Sequence, residues 1–146
     1  MKILIVDDTQ ANLDAAIVQL GKVHDVKIAD SFSAAKNLLT SESFECVMTD
    51  LMMPADATEE LAPIGLVVAL LALKMEVPHI LIVTDGDAKH QSHPIARVVC
   101  DNLVGGYRIK IVVGMMRREG GVTSFYDSIR TDRKPVKDYE AALKLL

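Results

Sequence analysis

Four oxygen-bearing side chains in this sequence follow hydrophobic runs that have the length of β-strands. Asp7 and Asp8 come directly after the run ILIV, Asp50 follows CVMT, and Thr84 follows a second ILIV at 80–83. If these runs are parallel strands of one sheet, their carboxyl ends meet at one edge, which is where α/β folds bind ligands. Three carboxylates held together repel one another unless a cation neutralises them. Oxygen ligands that leave room for water suit Mg²⁺.

A metal ion beside a carboxylate, with an open position facing it, favours phosphoryl transfer. The ion neutralises the charge on the transferring group, and the protein positions the reactants. Thr84 and a lysine would then contact the phosphoryl oxygens. The alternative is that the acidic residues only cap the helices that follow the strands. It suits Asp8 taken alone, but it does not explain why every member of the set follows a strand.

Hydrophobic runs alternate with segments of helical period along the chain, and this alternation predicts the fold. The predicted strands are 2–6, 23–28, 45–49, 77–83 and 108–113, and the predicted helices are 10–20, 31–39 or 33–39, 63–75, 94–103 and 137–146. Five strand–helix units in a row indicate an α/β fold with a doubly wound parallel sheet and helices on both faces. Residues 114–133 have no clean period and are predicted to be an irregular insertion. The chain, 1–146, is predicted to be a single domain.

Composition excludes several classes of function. A formal net charge of −4 over 146 residues gives no electrostatic reason to expect nucleic acid as a partner. The most apolar stretch, 61–75, falls short of the roughly 20 residues that a membrane span needs. Cys46 and Cys100 lie far apart in apolar runs, which is typical of buried thiols in a reducing compartment. With no signal peptide at the start of the sequence, we expect a cytoplasmic protein that binds no membrane.

The segments ILIVDD, FECVMTDLMMP and ILIVT resemble the receiver domains of two-component response regulators. The resemblance is close over about residues 1–86 and holds only in outline beyond them. It implies a flavodoxin-like sheet with the strand order 2-1-3-4-5. It also implies a signalling switch rather than an enzyme, with at most slow self-catalysed phosphorylation from small donors and autodephosphorylation. A sensor histidine kinase or a phosphotransfer protein would donate the phosphoryl group, and an unknown downstream protein would be the output partner.

The resemblance also assigns roles to residues. Asp50 would be the phosphoacceptor. Asp8 and Asp50 would bind Mg²⁺ directly, Asp7 would act mostly through water, and the backbone carbonyl of Met52 would be a further ligand. Thr84 would hydrogen-bond the phosphoryl group and pull its loop inward on activation.

Receiver domains carry a lysine at the end of the fifth strand, and three lysines of this sequence compete for that place. Lys137 is preferred, because Asp138 after it is a good helix N-cap and an aromatic residue follows. Lys134 precedes a proline, as in the family, but no predicted strand comes before it. Lys110 would lie inside the fifth strand.

Three further residues near the predicted site have open roles. Tyr107 is either the aromatic residue that moves with Thr84 in the family's switch or a tyrosine packed at the sheet edge. His90 and His93 have a spacing that could bind a transition metal, but without a helix to fix that spacing a solvated loop is the favoured interpretation.

Two alternative functions remain open. A phosphatase of the haloacid dehalogenase type also uses an aspartate at a strand end with Mg²⁺. It requires Asp-x-Asp after the first strand, whereas Asp7 and Asp8 are adjacent. The second alternative is a degenerate receiver that binds partners without phosphorylation. The uncertain lysine and the insertion at 114–133 are the reasons to consider it.

Overall fold

The structure is a computed structural model, and it describes residues 1–56, 59–84, 109–113, 116–118, 121–123 and 135–146. Its elements, in chain order, are β1 (Lys2–Val6), α1 (Gln10–Leu20), β2 (Asp25–Ala29), α2 (Phe32–Ser41), β3 (Cys46–Thr49), α3 (Ile64–Lys74), β4 (His79–Thr84), β5 (Ile109–Val113), β6 (Met116–Arg118), β7 (Gly121–Thr123), β8 (Val136–Lys137) and α4 (Tyr139–Leu143). The predicted helix 94–103 lies outside the described residues.

Five strands form one parallel sheet with the order β2-β1-β3-β4-β5. The doubly wound sheet and its strand order are therefore confirmed. The inner strands β1, β3 and β4 are almost wholly buried. Because helices cover both faces of such a sheet, its inner strands are continuously hydrophobic rather than alternating. The edge strand β2 is largely exposed, which accounts for its weaker hydrophobic pattern.

Alternate side chains of the strands feed two separate cores. Leu4 and Val47 pack on one face with residues of α2 and α3. Ile5 and Met48 pack on the opposite face with residues of α1 and α4. Side chains that follow one another along a strand point to opposite faces. Helices therefore lie on both faces, as the sequence predicts.

The last helix is shorter than predicted. It begins at Tyr139 rather than at residue 137, because the Asp138 carboxylate accepts a hydrogen bond from the Ala141 N–H at 2.9 Å and caps the helix. An N-cap residue stands outside the helix that it caps. Lys137 consequently lies in β8 and not in a helix.

The interpretation of 114–133 as wholly irregular is wrong. β6 and β7 pair as an antiparallel hairpin within it, and β6 also pairs with β8, giving a second sheet with the order β7-β6-β8. Strands of two or three residues are too short to show a period of two. β8, the second partner of β6, also lies outside the segment, so the local sequence could not reveal that pairing.

The second strand is displaced from its predicted range of 23–28. It spans Asp25–Ala29, because the N–H groups of Val23 and His24 both donate to the Leu20 carbonyl and form a turn after α1.

Among the described helices, none is long and apolar enough to cross a bilayer.

The buried thiol of Cys46 offers a test of the packing of β3. Its side chain is fully buried, and burial raises its pKa to about 12. Because the thiolate is the reactive form, we expect no reaction of Cys46 with a thiol reagent at pH 8 in the native protein. A Cys100→Ser variant would isolate the signal, and reaction in urea would serve as the control. Rapid native reaction would contradict the packing of β3.

Candidate functional site

The carboxyl ends of β1 and β3 lie side by side, so the residues that follow them are neighbours. Val6 of β1 pairs with Thr49 of β3. The Asp50 N–H continues this ladder by donating to the Val6 carbonyl at 2.7 Å, and the Asp7 N–H donates to the Ala29 carbonyl at 3.0 Å. The sheet itself therefore fixes the backbone of both aspartates.

Asp7, Asp8 and Asp50 form a carboxylate cluster at this edge of the sheet. Each offers one oxygen, and these oxygens all lie within 4.8 Å of one another. Asp7 is buried, whereas Asp8 and Asp50 are only partly so, which leaves the cluster open to water on one side. Oxygen donors with access to water are the set that Mg²⁺ prefers. The chemistry of the cluster therefore fits the ion expected from the sequence.

Lys137 is the lysine that the structure brings to this cluster. Its Nζ lies 2.7 Å from Asp7 Oδ2 and 2.8 Å from Asp50 Oδ1, and its side chain is 1% exposed. Burial alone would lower the pKa of Lys137, but the negative charges of Asp50 and Asp7 outweigh burial and raise this pKa above its ordinary value. Lys137 is therefore a charged ammonium at neutral pH.

Of the other two candidate lysines, the structure describes only Lys110, and that residue contacts a different part of the chain. Lys110 lies within β5, is exposed, and donates from Nζ to the Leu145 carbonyl at 2.6 Å. Lys134 lies outside the described residues. The preference for Lys137 thus agrees with the geometry, while its role in phosphoryl chemistry stays a prediction.

Asp7 is held by several donors besides Lys137. Its Oδ1 accepts from the Thr9 N–H at 3.0 Å and from Asn12 Nδ2 at 3.1 Å. Its Oδ2 accepts from the Tyr139 hydroxyl at 2.9 Å. Burial and the charge of Asp7 together raise the pKa of Tyr139 well above its usual value, so the hydroxyl stays a donor. With both oxygens engaged in this way, Asp7 suits an anchoring role better than direct metal ligation.

Asn12 and Tyr139 are site residues that sequence reasoning missed. The sequence marks Tyr139 only as an aromatic residue that follows Lys137, and nothing in it marks Asn12. It stands one helical turn after Asp8 in α1, and it is buried. Asn12 is only five residues from Asp7, whereas Tyr139 is brought to Asp7 by the packing of α4 against α1.

The loop after β3 holds Asp50 against the start of α3. Asp50 Oδ1 accepts from the Leu51 N–H at 2.8 Å, and the Gly65 N–H donates to the Leu51 carbonyl at 3.1 Å. A Cβ added at Gly65 would lie 1.6 Å from the Asp50 carbonyl oxygen. Only glycine permits this approach, so Gly65 is a further site residue that sequence reasoning missed.

Thr84 and Met52 lie where the sequence places them, but their roles stay predictions. Thr84 is the last residue of β4 and is 2% exposed. Met52 lies in the loop after Asp50 and is 6% exposed. Tyr107, His90 and His93 lie outside the described residues.

No protein-family model and no curated protein matches this chain. Solved structures do match it. One is the response regulator protein TrrA from Thermotoga maritima in complex with Mg²⁺-BeF, which is 21% identical, with 100% of both chains covered and a TM-score of 0.56. Another is the non-phosphorylated HemR receiver domain from Leptospira biflexa, which is 22% identical over 77% of this chain and 80% of that one, with a TM-score of 0.52.

A CheY-like response regulator receiver domain protein from Methanospirillum hungatei is also similar. It is 22% identical over 77% of this chain and 79% of its own, with a TM-score of 0.51. These structural neighbours are response regulator receiver domains, and the likeness shows that this chain has their fold.

Proposed function

We propose that this chain is a receiver-type signalling switch that accepts a phosphoryl group on Asp50. The observation that carries the proposal is the position of Asp50. Its Oδ1 lies 2.8 Å from the buried Lys137 ammonium, and it belongs to the cluster of three carboxylates within 4.8 Å of one another. An acceptor oxygen, a fixed cation and a set of oxygen ligands are the parts that phosphoryl transfer to a carboxylate requires.

In the proposed reaction, an Asp50 oxygen forms a bond to phosphorus while the phosphorus–nitrogen bond of a phosphohistidine breaks. The electron pair of that bond stays on the imidazole nitrogen, and the product on Asp50 is a mixed anhydride. Asp8, Asp50 and the Met52 carbonyl would hold Mg²⁺, and the ion would neutralise charge on the transferring group.

The chain's own residues do the rest. Lys137 and the Leu51 N–H both contact Asp50 Oδ1 and so fix the rotation of the carboxylate. Lys137 also balances the charge on the phosphoryl oxygens, and the Thr84 hydroxyl donates to one of them. Asp7 holds Lys137 in place. Tyr107 and Thr84 would carry the change outward in the switch.

The biological setting follows from the same proposal. A sensor histidine kinase or a phosphotransfer protein donates the phosphoryl group, and the switch acts by docking to a downstream protein in the cytoplasm as a single domain. The chain is not an enzyme in this account, and it has no nucleic-acid or membrane partner. A population shift between two conformations carries the signal.

The alternative of a phosphorylation-independent receiver is weakened by Lys137. That alternative depended partly on the lack of an obvious lysine for the site, and a lysine with its Nζ 2.8 Å from Asp50 removes this reason. The haloacid dehalogenase alternative gains no support. It needs a reactive aspartate after the first strand, whereas both carboxylate oxygens of Asp7 accept hydrogen bonds, one from Asn12 and one from Tyr139.

Intact-mass measurement after incubation with acetyl phosphate and Mg²⁺ tests the proposal. We expect one phosphoryl adduct on the unaltered protein and none on Asp50→Asn, because an amide cannot accept the group. Asp14→Asn, on the exposed side of α1, is the matched control and should label normally. An adduct that persists in Asp50→Asn, or no adduct on the unaltered protein, would refute the assignment.

A further inference from the structure

Lys137 reaches the carboxylate cluster from outside the main parallel sheet. It does not follow β5 directly but stands in β8, a strand of two residues in the small antiparallel sheet. On one side β8 pairs with β6, with Met116 opposite Lys137. Short isolated pairings of this kind are marginal in water. Something else must therefore hold the backbone of Lys137 where its ammonium meets Asp50.

Side chains of α1 hold the other side of β8. Asn12 Oδ1 accepts from the Lys137 N–H at 3.1 Å, and Gln19 Nε2 donates to the Lys137 carbonyl at 3.0 Å. Gln19 Oε1 also accepts from the N–H groups of Tyr139 at 2.8 Å and Glu140 at 3.2 Å. The amide of Gln19 thus joins β8 to the first turn of α4, and its described hydrogen bonds all go to backbone groups.

We propose that Gln19 is a positioning residue for phosphoryl transfer, which acts by holding the backbone of Lys137 so that Nζ reaches Asp50. This inference rests on the proposed function. Asn12 also contacts Asp7, so a change there alters the cluster directly. Gln19 lies two helical turns further along α1 and is joined to the cluster through Lys137 and Tyr139. A change at Gln19 therefore tests the positioning of Lys137 without removing a side chain that contacts the carboxylates.

Two substitutions divide the contacts of Gln19. Gln19→Met keeps the length of the side chain and removes all three hydrogen bonds. Gln19→Glu keeps an acceptor for the two N–H groups of α4, where a negative charge is favourable at a helix N-terminus, but it places an oxygen against the Lys137 carbonyl. Gln10→Met is the matched control, because Gln10 is exposed on the same helix and donates only to Asp14 among the described contacts.

The first readout is the reactivity of the Lys137 amine, which needs no phosphorylation. Lys137 is 1% exposed and paired with two carboxylates, so an acylating reagent should modify it slowly. Both Gln19→Met and Gln19→Glu lose the hydrogen bond to the Lys137 carbonyl. Loss of this one hydrogen bond should raise the modification rate of Lys137 by about threefold to tenfold. Peptide mass mapping measures this rate. Gln10→Met should leave it unchanged.

The second readout is the rate of labelling by acetyl phosphate in a cycle with Lys137→Met. Gln19→Met should slow labelling about threefold to tenfold when Lys137 is present and should have no effect when Lys137 is absent. A loss that is equal in both backgrounds would mean a merely structural role and would overturn the inference. So would unchanged reactivity of Lys137 in both Gln19 variants.

The two proposals can fail separately. If the unaltered protein takes no phosphoryl group, the proposed function fails, while the reactivity of Lys137 still decides whether Gln19 positions it. If Gln19→Met does not fold, Gln19→Glu decides, because it keeps the contacts to α4.

Discussion

Replacing Lys137 by methionine is expected to lower the free energy of unfolding by about 3–5 kcal/mol in buffer without Mg²⁺. The ammonium is 1% exposed and contacts Asp7, which is fully buried, and Asp50, which is 13% exposed. Methionine fills a similar volume but leaves both carboxylates without this cation. Removing one partner of a buried ion pair is costly because the remaining charge stays desolvated.

Mg²⁺ should restore much of this loss, which makes the effect specific to the site. An ion that binds the folded state stabilises it by mass action, and in Lys137→Met the Lys137 ammonium no longer competes with the ion at Asp50. Urea unfolding with and without Mg²⁺ measures both effects. Lys110→Met is the control, since Lys110 is exposed and contacts only the Leu145 carbonyl in the described region. An equally large loss of unfolding free energy in Lys110→Met would contradict the assignment of the effect to the contacts of Lys137 with Asp7 and Asp50.

Lys137→Met should also slow the labelling of Asp50 by acetyl phosphate by about 100-fold. A preorganised donor aimed at developing charge contributes about that factor in a water-poor site. The rate is to be measured in saturating Mg²⁺, so that the protein is folded throughout. Labelling at the unaltered rate would remove Lys137 from the proposed reaction.

Gly65→Ala is expected to displace the loop that carries Asp50. The added methyl group would lie 1.6 Å from the Asp50 carbonyl oxygen, 2.7 Å from its carbonyl carbon and 2.9 Å from Leu51 Cα. These are backbone atoms, so no side-chain rotation can relieve the overlap. The helix start or the acceptor loop has to move, and overpacking of this kind costs about 1–3 kcal/mol.

The consequence for the site should exceed the consequence for stability. A displaced Leu51 loses its hydrogen bond from Gly65, and the Asp50 carboxylate moves relative to Lys137. We expect phosphoryl labelling of Gly65→Ala to fall about 100-fold, because a misplacement of about 1 Å has an effect of that size on positioned reactants. Leu70→Ala, at an exposed position of α3, is the control and should label normally. Normal labelling of folded Gly65→Ala would contradict the described approach of α3.

The sequence predicts the main sheet well because its signal is local. Continuous hydrophobic runs mark β1, β3 and β4, and side chains at strand ends mark the edge where ligands bind. The convergence of Asp7 with Asp50 follows from topology alone, since parallel strands bring their carboxyl ends to one edge. For the same reason the sequence alone predicts Thr84 at this edge.

The residues that sequence reasoning missed depend on tertiary contacts. Gln19 contacts the backbone of Lys137 and Asn12 the Lys137 N–H only because β8 packs against α1. Gly65 is marked only by its distance to the backbone of Asp50. The strands β6 and β7 are too short to carry a period, and β6 also pairs with β8, which lies beyond the insertion. No local pattern encodes such contacts.

The position of Lys137 could be predicted in part from the local sequence. Asp138 as an N-cap gave a local reason to prefer it, and that cap is present. The same cap also means that the helix could not begin at residue 137. A cap at Asp138 is therefore inconsistent with a helix that begins at residue 137, and the structure places Lys137 in β8.

A crystal structure of the protein with Mg²⁺ and beryllium fluoride, a phosphoryl mimic, would test the central claim most directly. We expect the beryllium group on an Asp50 oxygen, an ion contacted by Asp8 and Asp50, and Lys137 Nζ within hydrogen-bond distance of a fluoride. Density for the group on another residue, or an ion bound away from the edge formed by β1 and β3, would contradict the account.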